Sequence, residues 1–201
     1  MPREVCYTCR RAKIACLCGR VESQANNIKV IVLQHPDESS NAKGSAIIAE
    51  LGLNQYQRWI GEDFRQHAGL NACLQEFAHE ILILYPSPHA QVLTDKPTGA
   101  VKYLLIIDAT WRKARRIWEI NPQLQALRCV KLANNKSTHY RIRKAPQPGY
   151  LSTVESIVEG LRILEGDENA YQPLLTLFDE MIDFQIANMG NATYKRNYLG
   201  E

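Results

Sequence analysis

The chain has 201 residues, 45% of them apolar and 22% charged, with a formal net charge of +3. That balance describes one α/β-sized globular domain with a small appendage, and it excludes a disordered chain, a fibrous repeat or a membrane span, since no apolar run nears about 20 residues. The charge is uneven: residues 111–144 carry +9 and the remainder −6, a basic belt that is either a polyanion-binding surface or a solvated face.

Met1-Pro2-Arg3-Glu4 lacks the apolar stretch of a secretory signal, so a cytoplasmic protein is expected. Residues 1–22 form a Cys-rich basic segment, with Arg3, Arg10, Arg11, Lys13 and Arg20 against Glu4. Residues 23–190 are the expected main domain and 191–201 a flexible tail. After a polar linker, residues 28–33 are an apolar, β-branched run that predicts a buried strand ending at Gln34-His35-Pro36. Residues 42–51 predict a helix stopped by Gly52, 57–60 a short strand, and 63–77 a helix. Two more buried strands are expected over 80–85 and 101–107, ended by Pro86-Ser87-Pro88 and by Asp108. A basic helix over 110–120 follows, closed by Asn121-Pro122, then a fourth strand over 128–132. Residues 134–149 are polar and basic with two prolines, and read as a long functional loop. Residues 152–164 place Val154, Ile157, Val158, Leu161 and Leu164 on one helical face, opened by a Ser152/Glu155 capping box. A last amphipathic helix spans 171–189.

Continuously apolar strands alternating with helices predict an α/β fold: a mostly parallel sheet covered by helices on both faces. Ligands in such folds bind beyond the carboxyl ends of strands, which singles out His35, Tyr85-Pro86 and Asp108. There is no P-loop and no dinucleotide-binding glycine fingerprint.

Cys6-x-x-Cys9 and Cys16-x-Cys18 supply four thiolates within 13 residues, the soft ligand set of a structural Zn2+, where the alternative is unrelated thiols or a redox pair. A short segment without a core of its own needs such a staple. Cys73 and Cys129 have apolar neighbours and read as inert. Asp108-Ala109-Thr110-Trp111 lies where a strand hands over to a helix bearing Arg112, Lys113, Arg115 and Arg116. Locally, Asp108 or Thr110 can serve as a helix cap. The functional reading makes Asp108 a general base, Trp111 a stacking surface for a base, and the cations phosphate contacts. His35 is either a hydrogen-bonded corner or a site residue. Ser137–Lys144, followed by Pro146, Pro148 and Gly149, delivers the N-terminus of a capped helix, a place where backbone N–H groups can hold an anionic group.

Taken in order, the Cys6/Cys9/Cys16/Cys18 cluster, His35-Pro36-x-Glu38, Tyr85-Pro86, Asp108-Ala109-Thr110-Trp111, Tyr140-Arg141-Ile142-Arg143-Lys144 and Gly149-x-Leu151-Ser152-Thr153-x-Glu155 resemble the DTW-domain family, the tRNA-uridine aminocarboxypropyltransferases. Ala109 stands where the family commonly has Gly, and the stretch after Glu38 departs from the family pattern. The resemblance covers about residues 5–185. It implies transfer of the 3-amino-3-carboxypropyl group of S-adenosylmethionine to N3 of a tRNA uridine, with release of methylthioadenosine. It also implies a SPOUT-like fold whose C-terminal segment, around residues 134–155, is threaded into a knot. The implied site has Asp108 and Trp111 as catalytic residues. Leu84, Tyr85, Pro86, Asp108, Leu151, Ser152, Thr153 and Glu155 line the donor pocket. His35, Arg112, Arg115, Arg116, Tyr140, Arg141, Arg143 and Lys144 face tRNA, with help from the zinc segment. A monomer with no membrane contact is expected. The alternatives are an RNA methyltransferase on the same scaffold and a zinc-stapled RNA-binding module without catalysis.

Overall fold

A computed structural model of the chain describes residues 4–95, 97–133, 137–143 and 150–199. Among the described residues six strands form one sheet: β1 (Lys29–Gln34), β2 (Tyr56–Ile60), β3 (Ile81–Leu84), β4 (Gln91–Val92), β5 (Tyr103–Asp108) and β6 (Arg128–Lys131). Their spatial order is β2-β1-β5-β3-β6-β4, and every pairing is parallel. The helices are α1 (Ala46–Gly52), α2 (Ala68–Phe77), α3 (Trp111–Ile120), α4 (Pro122–Gln125), α5 (Thr153–Glu165), α6 (Gln172–Met189) and α7 (Asn191–Tyr194). Among the described residues no helix is long and apolar enough to cross a membrane.

The strands are apolar throughout because both faces of the sheet are covered. Alternate residues go to opposite sides. Val30, Val32, Leu82, Leu84, Leu104 and Ile106 pack in one core with residues of α1, α5 and α6. Ile31, Leu33, Ile81, Ile83 and Leu105 pack in the other with Leu70 of α2, Ile117 of α3 and Leu124 of α4. The same alternation fixes the polar ends of the central strands. Gln34 of β1 and Asp108 of β5 are register partners, and both continue the α5-facing rows. Arg58 of β2, paired with Val32, lies in the same row.

The capping box on α5 is present, with Ser152 accepting from the Glu155 N–H and the Glu155 carboxylate accepting from the Ser152 N–H. Gly166 ends that helix at φ 74°, in the left-handed region. Gly160 lets α5 lie close on β5, since a Cβ there would sit 2.9 Å from Leu104 Cδ2.

Two helices start later than the sequence suggests. α1 begins at Ala46 rather than 42, because the carbonyls of Ala42, Lys43 and Gly44 are taken by Arg11 and Tyr140 side chains, which withdraws them from an α-helical ladder. α2 begins at Ala68, where His67 Nδ1 accepts the Leu70 N–H as its cap. The two-residue β4 carries too little pattern to be read from sequence. Beyond Gly190, where the sequence reading expects a flexible tail, the chain continues through α7 into a π-helical turn, Lys195–Leu199. The Cys-rich segment joins the main core directly, through buried Cys9 and Leu17.

Candidate active site

The carboxyl ends of β3, β5 and β6 open into a cavity of about 290 Å³, near the lower end of the range for small-molecule sites. One wall is Leu84, Tyr85 and Pro86, with Tyr85 stacked on Trp118 at 4.5 Å between ring centroids. The facing wall is Leu151, Ser152 and Thr153, at the N-terminal end of α5. These are six of the eight donor-pocket residues that the sequence brings forward; Asp108 and Glu155 are placed elsewhere. At the mouth, Trp111 is 37% exposed and meets Tyr150 edge-to-face, with centroids 4.2 Å apart. Lys131, Thr138, Tyr140, Arg143 and Ser156 add polar groups to the lining.

Asp108 lies behind this wall. Its position in β5 turns the side chain under α5, where it is 6% exposed. Oδ2 accepts from Gln34 Nε2 at 2.7 Å, and Oδ1 accepts from Thr153 Oγ1 at 2.5 Å. The carboxyl is therefore not part of the cavity lining. The Thr153 hydroxyl stands between it and the cavity. Burial pushes the Asp108 carboxyl above the usual carboxylate range; the Thr153 and Gln34 hydrogen bonds pull the other way, Glu38 adds to the rise and Arg143 opposes it. Thr110 makes no side-chain cap bond at the start of α3, so the capping role does not account for this motif.

Several residues expected to face tRNA are engaged elsewhere. Tyr140 is buried, donates its hydroxyl to the Lys43 carbonyl and packs edge-on against Phe178. It is a cavity wall rather than an outward contact. His35 forms a corner: its Nδ1 accepts the Asp37 N–H at 3.1 Å and its Nε2 lies 3.5 Å from Glu62. Arg141 pairs with Asp183 of α6 at 2.7 Å. On α3, Arg115 makes an exposed pair with Glu119, and exposed Arg116 pairs with half-buried Glu62. Arg112 and Arg143 make no ion pair among the described residues, and Arg143 lines the cavity. Lys144 lies outside the described residues.

Glu155 also departs from its expected place. Its buried carboxylate accepts from the Ser152 N–H, the Thr138 hydroxyl and the His139 N–H, each at 2.7 Å. It holds residues 138–139 against the start of α5 and does not line this cavity. Gln34, Lys131, Thr138 and Tyr150 are site residues that the sequence reading missed. Thr138 lies within the Ser137–Lys144 stretch and Lys131 within the basic belt, whereas nothing local singles out Gln34 or Tyr150.

The four cysteines of the N-terminal segment converge. Their Sγ atoms all lie within 4.8 Å of one another, with Cys6 and Cys18 at 3.7 Å and Cys9 and Cys16 at 3.6 Å. A tetrahedron with Zn–S bonds of about 2.3 Å has edges of about 3.8 Å, so the cluster fits zinc, and these distances are far beyond a disulfide bond. Backbone N–H groups of Cys9 and Thr8 hold the Cys6 thiol down to about 6, which favours the thiolate a metal requires.

The DTW domain model matches residues 3–186 of this chain. A Drosophila melanogaster protein named tRNA-uridine aminocarboxypropyltransferase 2 is 31% identical over 194 residues, 92% of this chain and 76% of its own length. A Mus musculus protein of the same name is 26% identical over 204 residues, 98% of this chain and 68% of its own. A Xenopus tropicalis protein named tRNA-uridine aminocarboxypropyltransferase 1 is 22% identical over 196 residues, 76% of this chain and 63% of its own. No solved structure matches the chain. On the domain match across most of its length and the similarity to these transferases, the chain belongs to the DTW-domain family.

Proposed function

We propose that this chain modifies a uridine in tRNA, transferring the 3-amino-3-carboxypropyl group of S-adenosylmethionine to uracil N3 and releasing methylthioadenosine. The observation that carries the reading is the Thr153–Asp108 hydrogen bond at the wall of a strand-end cavity in a chain related to transferases of that name. Uracil N3–H is a weakly acidic imide and must lose its proton as the N3–carbon bond forms and the carbon–sulfur bond breaks. The Thr153 hydroxyl receives that proton while passing its own to Asp108 Oδ1. A carboxyl raised by burial is a better acceptor for it than an exposed one. Lys131 and Arg143 place positive charge on the cavity lining, where the donor's carboxylate needs a partner. Trp111 and Tyr150 offer aromatic surface at the mouth to an extruded base.

The exposed Arg112 meets tRNA phosphates, and the four-cysteine segment holds zinc as a structural ion. The all-parallel sheet, with α5 packed along β5 through Gly160 and Leu104, supports the SPOUT-like reading; residues 134–136 and 144–149 of the expected knot lie outside the described residues. The test is incubation with an unmodified tRNA transcript and S-adenosylmethionine, followed by mass analysis of the nucleosides. A uridine heavier by one aminocarboxypropyl group is expected. A methyl adduct would move the assignment to the methyltransferases, and an unchanged uridine would overturn the enzymatic reading.

A further inference from the structure

Two consecutive arginines leave the four-cysteine segment immediately after Cys9, and they run to opposite parts of the cavity's support. Arg10, at a φ of 59°, pairs through its guanidinium with Glu50 Oε2 of α1 at 2.7 Å. The same oxygen lies 3.4 Å from Arg58 Nε. Arg58 donates to Gln34 Oε1 at 2.9 Å, Gln34 donates to Asp108 Oδ2 at 2.7 Å, and Thr153 donates to Asp108 Oδ1 at 2.5 Å. An unbroken polar chain thus links the cysteine cluster to the one hydroxyl that joins Asp108 to the cavity.

Arg11 takes a second route. It is 5% exposed and donates to the carbonyls of Ala42 and Gly44. The carbonyl between them, on Lys43, accepts from the Tyr140 hydroxyl. The next residue, Ser45, accepts the Val154 N–H of α5 at 3.2 Å. One four-residue segment is therefore gripped by the cysteine segment, by a cavity wall and by the first turn of α5.

A staple for the N-terminus would need only the metal and the apolar contacts of Cys9 and Leu17. Instead Arg11 is buried and donates its guanidinium hydrogen bonds to the carbonyls of Ala42 and Gly44, so the segment is anchored on the residues that brace the cavity wall and α5.

Building on the donor-binding reading above, we propose that Arg10 and Arg11 are positioning residues through which the four-cysteine segment sets the shape of the donor cavity, so that this segment acts on donor binding and chemistry as well as on RNA. Arg11 governs the wall that Tyr140 and α5 form. Arg10 governs the placement of Asp108 and Thr153.

The test uses the full-length, metal-loaded protein and reads four quantities. These are calorimetric affinity for S-adenosylmethionine, filter-binding affinity for tRNA, kcat, and bound zinc. Arg11→Ala should weaken the donor about tenfold, with zinc retained and tRNA affinity within about threefold of wild type. Arg11→Lys should recover part of that loss. Arg10→Ala should lower kcat while donor affinity holds. Tyr140→Phe should weaken the donor in the same direction, and its combination with Arg11→Ala should be less than additive, since both hold residues 42–44. Tyr140→Phe and Arg11→Lys keep the test alive if Arg11→Ala does not fold. Wild-type donor affinity in zinc-loaded Arg11→Ala, a fall in tRNA affinity alone, or strict additivity with Tyr140→Phe would each overturn the proposal. Absence of S-adenosylmethionine binding by the wild-type chain would instead overturn the functional reading beneath it.

Discussion

At the scale of single residues, the site turns on a carboxyl that does not touch the cavity. Thr153 is the only intermediary the described residues show between Asp108 Oδ1 and the cavity. Thr153→Val keeps size and removes the hydroxyl, so kcat should fall about a hundredfold with donor affinity little changed, and Thr153→Ser should restore most of it. Steady-state kinetics at saturating donor checks this. The burial of Asp108 has a stability consequence of definite sign. Its folded pKa lies above its unfolded value, so its favourable contribution is fully present below the unfolded pKa, about 4, and is lost as pH rises through the folded one. Asp108→Asn cannot ionise and escapes that loss. The melting temperature of Asp108→Asn minus that of wild type should therefore grow from pH 4 towards pH 8, and a difference that shrinks over that range would contradict the assignment. Asp108 was legible as a polar residue ending an apolar strand. Its partner Gln34 was not, because the pairing depends on the β1–β5 register across 74 residues, and nothing local encodes that.

At the scale of elements, α5 does most to shape the site. Its capping box, its apolar face and its stop at Gly166 are local features, and the sequence declares all of them. Its height above the sheet is not local. That height depends on Gly160 meeting Leu104. A larger side chain must lift the helix or displace Leu104, and lifting would pull Thr153 from Asp108. Gly160→Val should cost about 1–3 kcal/mol in chemical denaturation and weaken donor binding along with it. Unchanged donor affinity in a destabilised Gly160→Val would show that α5 packs independently of the cavity. The late start of α1 teaches the converse lesson. Residues 42–51 have a helical composition, but side chains from positions 11 and 140 capture the first carbonyls, and tertiary bonds override local preference.

At the scale of the molecule, the sheet carries two cores, and the N-terminal segment is built into one of them. Four cysteines in one short run make a candidate metal site legible from sequence alone, and their sulfurs do converge. That Cys9 and Leu17 lie in the main core beside α1 and α6 was not legible, because the contacts join the two ends of the chain. Arg20 pairing with Glu180 of α6 at 2.5 Å belongs to the same contact. Stripping the metal with a chelator should therefore lower the melting temperature of the whole chain in a single transition. A separate low-temperature transition, with the main one unmoved, would show that the segment folds on its own. The basic belt was legible as a count of charges, but not in how its members pair. Arg115, Arg116, Lys113 and Arg141 are each matched by an acid, while Arg143 turns into the cavity lining.

The central claim is that Asp108, acting through Thr153, accepts the proton that the transfer releases. The most direct measurement is the yield of modified uridine from Asp108→Asn and wild type at equal, saturating S-adenosylmethionine, with donor occupancy confirmed by calorimetry. The expected result is full donor occupancy with product formation reduced at least about a hundredfold. Product formed at the wild-type rate by a fully occupied Asp108→Asn would contradict it.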